Sequence, residues 1–157
     1  MNINRLAAHP GWRPVYLDSG LGSPALVYRR VGFLDACRQL HRRPERILLD
    51  GDFAANVRRL HERLPRERVV VVSDSLLNTG AFMRWAAETG AALGDTLLYS
   101  DFDNDFGRHV WGLQVTSFRQ NLNALQHQGA ELLLQILRRQ PGEVQLLVRP
   151  KYCAGDT

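Results

Sequence analysis

The sequence predicts an α/β fold, a three-layer open sheet that is mainly parallel. Three observations carry that prediction. Four short apolar runs each close on an aspartate: Arg-Pro-Val-Tyr-Leu-Asp at Asp18, Arg-Ile-Leu-Leu-Asp at Asp50, Val-Val-Val-Val-Ser-Asp at Asp74 and Thr-Leu-Leu-Tyr-Ser-Asp at Asp101. A helical pattern follows each of the first three, which is the alternation of β-α units. The run from Arg68 to Val72 is β-branched and almost continuously apolar, as a strand buried on both faces must be. Ligands of open α/β sheets bind at the carboxyl ends of the strands. The aspartates therefore mark a polar edge suited to binding.

The elements follow in order. Residues 1–8 read as the last turns of a helix, and 9–14 as a turn into a first strand over about 14–18. Ser23 is an N-cap with Pro24 at the first helical position. The helix it starts runs to about His41, with a stripe of Leu26, Phe33, Cys37 and Leu40 flanked by Val27, Val31 and Leu34. A second strand spans about 46–50. Asp52 can cap a helix whose stripe is Phe53, Val57, Leu60 and Leu64, and Pro65 ends it. After the third strand, Asp74 or Ser75 caps a helix with Leu76, Gly80, Met83 and Ala87 on one face and Gly90 at its close. A fourth strand over about 95–100 leads into a polar loop at 101–108. A fifth, from Leu113 to Phe118, precedes a long helix from about Asn121 to Arg139, with Leu122, Leu125, Gly129, Leu132, Leu133 and Ile136 on one face. Pro141 and Gly142 make a turn, and Val144 to Val148 reads as a last strand.

Composition narrows the function classes. The chain has 157 residues, 45% hydrophobic and 23% charged, which is one ordinary globular domain with a real core. No apolar stretch approaches membrane-spanning length and the first 20 residues lack a signal-peptide pattern, so no membrane partner is expected. Cys37 and Cys153 have neither disulfide-framework nor metal-finger spacing. Cys37 reads as a small core residue, and a reducing cytoplasm is the expected compartment. The formal net charge is +4, almost entirely from arginine, Lys151 being the only lysine. The arginines are densest between Arg38 and Arg68. They alternate with acids and lack interleaved aromatics, so solvated helix faces are favoured over a nucleic-acid surface.

Enzyme chemistry finds no foothold. His9, His41, His61, His109 and His127 show no ligand spacing, and no metal is expected. Asp18 to Pro24 contains two glycines, but Pro24 stands where a phosphate-binding fingerprint would continue. No Gly-x-Ser-x-Gly elbow occurs. Neither a catalytic residue nor a cofactor is expected.

The order of segments resembles a known family. Residues 70–90 resemble a segment that usually reads apolar strand, Ala-Asn-Asp, then Ala-x-Gly and a helix. Residues 97–104 resemble its Val-Val-Gly-Phe-Asp-Asp strand end, 115–137 its Thr-Thr-Val-x-Gln strand and following helix, and 29–36 its Arg-x-x-Gly-Phe helix. These are marks of the lactose/galactose repressor-type (LacI/GalR) transcriptional regulators, whose sensor domain shares the type I periplasmic sugar-binding fold. The resemblance covers about 9–157. It implies a second lobe at 1–112, a crossover strand and helix at 113–140 that normally pack on the first lobe, and a return strand at 141–157. The helix-turn-helix DNA-binding domain and most of the first lobe have no counterpart here.

The resemblance also implies a site and partners. A sugar or polyol effector needs planar hydrogen-bonding groups and an aromatic face. Arg29 sits at the family's effector-binding arginine, although an exposed helix arginine is the plain alternative. Phe53 falls at a stacking aromatic, yet is in phase with the core stripe of its helix. Asp74 replaces the family's asparagine, and an ionised aspartate only accepts; a helix N-cap is its competing role. Asp101 matches the first aspartate of the strand-end pair, while Phe102 replaces the second. Gln120 matches the hinge-crossing glutamine, with a backbone-bonding residue at a strand end as the alternative. Asp18 and Asp50 share the edge without a specific counterpart. So many carboxylates disfavour a phosphorylated effector and favour a neutral one. An uncovered leucine face on the long helix implies a homodimer, and operator DNA would be a partner only through the missing N-terminal domain. Two alternatives share the architecture: a solute-binding protein of a sugar uptake system, and a small flavodoxin-like nucleotide-binding domain.

Overall fold

The computed structural model describes residues 3–49, 53–62, 66–104, 109–110, 112–139, 142 and 147–157. Its elements are helix α1 (Ile3–Ala8), strand β1 (Arg13–Asp18), α2 (Pro24–Gln39), β2 (Glu45–Leu48), α3 (Phe53–His61), β3 (Val69–Ser73), a 3-10 turn (Leu76–Asn78), α4 (Thr79–Thr89), β4 (Leu97–Phe102), β5 (His109–Val110), β6 (Leu113–Gln114), β7 (Thr116–Arg119), α5 (Leu122–Leu137) and β8 (Lys151–Cys153). The main sheet has six strands in the order β2-β1-β3-β4-β7-β8, and β5 and β6 form a separate small hairpin. All pairs in the main sheet are parallel except β7 with β8. The expected three-layer, mainly parallel sheet is therefore the one observed.

Burial explains why these strands are central. All five residues of β3 are buried, which a strand covered by helices on both faces requires. Alternate side chains supply two cores. Val15, Leu17, Val69, Val71, Leu97 and Tyr99 face α3 and α4, where they meet Val57, Leu60, Phe82, Met83 and Trp85. Tyr16, Val70, Val72 and Leu98 face the other way, where they meet Leu6, Phe33, Ala36 and Cys37. Phe82 stacks on Tyr99 with ring centroids 4.4 Å apart. Cys37 is fully buried, and that burial pushes its thiol up to about 11.

Several local expectations need correction. The stripe on α2 is narrower than its apolar content suggests: Phe33, Ala36 and Cys37 seat the helix, while Val31 and Leu34 are exposed. Apolar residues surround this helix, so periodicity alone does not select the seated face. Of the two caps expected after β3, Ser75 is the one used, accepting from the Leu77 amide at 3.2 Å. The expected fifth strand divides into β6 and β7. Among the described residues the last strand is β8; of the expected 144–148 run, Leu147 and Val148 are not in a strand, and Leu147 is largely exposed. β8 instead sets Tyr152 against Phe118, centroids 5.3 Å apart, and gives the sheet its antiparallel edge. Asp50, Asp52, Leu64, Pro65 and 144–146 lie outside the described residues.

Helix α5 differs from the other long helices, because none of its described side chains is buried. Leu122, Leu125, Leu133 and Ile136, all on the face read from sequence, are each about half exposed. At the other end of β7 from this helix, the chain from Gly155 to Thr157 runs alongside Gln114 to Thr116. The Thr157 hydroxyl donates to the Tyr99 carbonyl and accepts from the Thr116 amide, at 2.9 and 3.0 Å.

Candidate functional site

Strand order reverses between β1 and β3, since the chain winds outward to β2 and then returns past β1. Such a switch point opens a crevice at the carboxyl ends of the strands. Asp74 closes this one: its Oδ2 accepts from the Ser19 amide at 2.8 Å and the Ser19 hydroxyl at 2.6 Å. Its Oδ1 accepts from Asn78 Nδ2 at 3.3 Å. The carboxylate is committed to holding two loops together and is buried.

Asp18 is held similarly. Gly20 donates its amide at 2.9 Å, Arg46 its Nε at 2.7 Å and Arg30 its Nη1 at 3.0 Å. Burial favours the neutral acid, but these donors outweigh it and hold the carboxyl below the usual aspartate range. Asp101, at the end of β4, has the opposite balance. It is fully buried, accepting from Thr79 at 2.5 Å and Asn104 Nδ2 at 2.7 Å. Burial raises its pKa, hydrogen bonds from Ser117, Thr79 and Asn104 offset this only in part, and the neighbouring Asp103 charge adds to the rise.

The open part of the edge is built around Arg29. One Nη donates to the Asp74 carbonyl at 2.8 Å, the other pairs with Asp103, and the guanidinium lies over the Phe102 ring, 4.6 Å from its centroid. Asp103 has a left-handed backbone (φ 59°), a conformation aspartate tolerates better than most residues. It accepts from the Gln120 amide at 3.1 Å and from Gln120 Nε2 at 3.2 Å. Phe102, Phe118 and Tyr152 continue from Arg29 as a ladder of rings across β4, β7 and β8. A pocket of about 230 Å³ opens here, lined by Arg29, Phe102, Asp103, Gln120, Asn121 and Leu125 among others.

Of the five residues singled out from sequence, Arg29 and Gln120 meet in this pocket. Asp74 does not line it: its carbonyl accepts from Arg29, and its carboxylate faces the Ser19 loop. Asp101 lies beneath the edge. Phe53 begins α3, and its side chain lies outside the described residues. Sequence reasoning passed over Asp103, which joins Arg29 to Gln120. Its signal was present in the dense acidic run after β4, but the left-handed turn that aims it leaves no mark in spacing.

No family model and no curated protein matches the chain. Solved structures do. The probable maltose operon transcriptional repressor of Staphylococcus aureus superposes with a TM-score of 0.80 at 14% identity, over 98% of this chain and 56% of its own. The fold is that of the LacI-type regulators. A LacI-family transcriptional regulator of an Arthrobacter species, in complex with lactose, gives 0.77 at 12% identity over 98% of this chain and 60% of its own. A periplasmic binding protein/LacI transcriptional regulator of Alkaliphilus metalliredigens, complexed with D-xylulofuranose, gives 0.68 at 18% identity over 97% and 61%. The chain thus spans little more than half the length of these LacI-type proteins. They are described as transcriptional regulators or binding proteins. Among the described residues, no helix is long and apolar enough to cross a membrane.

Proposed function

We propose that this chain is the ligand-sensing part of a LacI-type transcriptional repressor and binds a neutral sugar or polyol effector. One observation carries the reading. Arg29, Asp103 and Gln120, from three different segments, converge beside the Phe102 ring on an open pocket at the carboxyl ends of the strands. That group combines donors, acceptors and a ring face, as polyol recognition requires. Asp74 and Asp101 act behind it, fixing the loops. Phe53 belongs to the same edge. In this reading 1–112 form the second lobe, 113–140 cross toward the first, and 141–157 return. Ligand closes the two lobes and shifts operator affinity through its differential affinity for two conformations. The leucine face of α5 supports pairing into a homodimer.

Two-dimensional NMR of the chain with neutral pentoses, hexoses and polyols, and with their phosphates, tests this. A neutral ligand should shift Asp103 and Gln120, and Gln120→Ala should weaken it about tenfold, the size of one buried polar contact. If only sugar phosphates shift those residues, or if nothing does, the effector assignment is wrong. A helix-turn-helix encoded upstream in the same reading frame would exclude the uptake-protein alternative.

A further inference from the structure

The opposite end of the sheet carries a second and larger cleft, of about 670 Å³. Three connections meet there: the turn into β1, the segment after α2 and the segment before β3. Its lining includes Arg13, Arg42, Arg43, Arg66 and Arg68, with Glu67 as the acid among them. The cleft's formal balance therefore equals the +4 of the entire chain, and the rest of the molecule is neutral. Arginines that read in sequence as solvated helix faces are gathered by the fold around this cleft.

Arg13 is already matched, its Nη1 bonding Glu67 at 2.9 Å and its Nε lying 3.4 Å from Glu45. The surplus is Arg42, Arg43, Arg66 and Arg68. Two of these are fixed in place before any ligand arrives. Arg42 donates to the His9 carbonyl at 3.2 Å, and Arg68 lies over the Trp12 ring, 5.7 Å from its centroid. Arg43 and Arg66 are exposed on the rim. Fixed guanidiniums lose little freedom on binding, and their forked donors match phosphate oxygens.

We infer that this cleft binds a compact polyanion bearing a diphosphate group. Four guanidiniums need more than one phosphate to engage them. The volume lies within the roughly 300–1,000 Å³ of small-ligand sites. A concave cleft at one end of a sheet lacks the extended basic stripe with which proteins track a duplex. The inference is independent of the effector pocket, which lies at the other end of the strands.

Calorimetry at low salt with orthophosphate, pyrophosphate and ADP tests it. Pyrophosphate should bind at least about tenfold more tightly than orthophosphate, since it engages a second pair of guanidiniums. Equal affinity of ADP and pyrophosphate assigns the whole interaction to the diphosphate; tighter ADP binding adds a contact to the base. The Arg43→Ser/Arg66→Ser variant should lose about tenfold or more in pyrophosphate affinity, whereas Arg138→Ser/Arg139→Ser, at the end of α5, should keep it. On the unaltered protein, pyrophosphate should shift the Trp12 indole N–H resonance, which locates the site without any variant. The inference is overturned by absence of pyrophosphate binding, by equal affinity for orthophosphate, by an unmoved Trp12 signal, or by a duplex oligonucleotide that displaces pyrophosphate from the cleft.

Discussion

Replacing Gly155 with alanine should detach the strap that crosses β7. A Cβ at Gly155 would stand 2.1 Å from the Gln114 carbonyl oxygen, 2.6 Å from the Val115 carbonyl carbon and 2.7 Å from the Thr116 nitrogen. All three are main-chain atoms of a packed sheet, so the strap must retreat by roughly 1 Å to reach ordinary contact. Six hydrogen bonds depend on its position. The Gly155 amide donates to Thr116 Oγ1 and the Asp156 amide to the Gln114 carbonyl, while Asp156 Oδ2 accepts from the Gln114 amide. Thr157 accepts two bonds from Thr116 and donates a third to the Tyr99 carbonyl. At a net of about 1 kcal/mol each, they are worth about 6 kcal/mol. Freeing three residues returns about 3–6 kcal/mol of backbone entropy. The expected net loss is about 2 kcal/mol, in line with overpacking elsewhere, and a fall in Tm of about 4–8 °C. Urea unfolding followed by circular dichroism measures it. Gly80→Ala is the matched control: an added Cβ there meets nothing within 4 Å, and the position is an exposed helical one. That change should stabilise by about 0.5–1 kcal/mol. If Gly155→Ala costs under about 0.5 kcal/mol, the strap is not seated as described.

Other consequences are equally direct. Phe82→Ala empties the space between Tyr99 and Trp85 and should cost about 3–5 kcal/mol by chemical denaturation. Asp101 has a raised pKa, so its contribution is full below the ordinary aspartate value and lost as pH rises through the folded value. Asp101→Asn should therefore gain stability relative to the parent as pH rises above the ordinary aspartate value of about 4, and a difference that does not change with pH would contradict the burial argument. Asp18 has a lowered pKa, so its contribution is present at neutral pH and lost as pH falls through the folded value. Asp18→Asn should be destabilising at pH 7 and should lose that difference in acid. In thiol titration of the native protein, Cys153 should react first and Cys37 only on unfolding, because burial holds its thiol near 11.

The fold was legible because its strands are short, apolar and closed by a polar residue, and because β3 has no polar face to mislead. The registers of β1 and β3, with Val15 beside Val71, follow from that pattern. The edges were harder. β8 contains Lys151, Tyr152 and Cys153, and its backbone pairing with β7, with Tyr152 packed on Phe118, makes it a strand. The run before it is more apolar, yet Leu147 is exposed. At the binding edge, residue types identified the carboxylates but not their duties. Asp18, Asp74 and Asp101 all lie at strand ends, and all three side chains are taken up by donors from neighbouring elements. Asp103, the first residue after β4, is the one turned toward the pocket, because a left-handed turn reverses its direction. Spacing reports which residues reach an edge; backbone handedness decides which of them face outward.

Helix α5 gives the molecule a part whose very structure depends on its surroundings. A sixteen-residue helix with no buried side chain has little but its own hydrogen bonds and the Asn121 cap to hold it. Isolated helices of that length are marginal in water. Its amides should exchange with solvent orders of magnitude faster than those of β3, by an opening that leaves the rest of the sheet intact. Anything that settles on the leucine face then supplies the free energy that completes the helix. Amide protection along α5 would register occupancy of that face directly, before any change in the sheet.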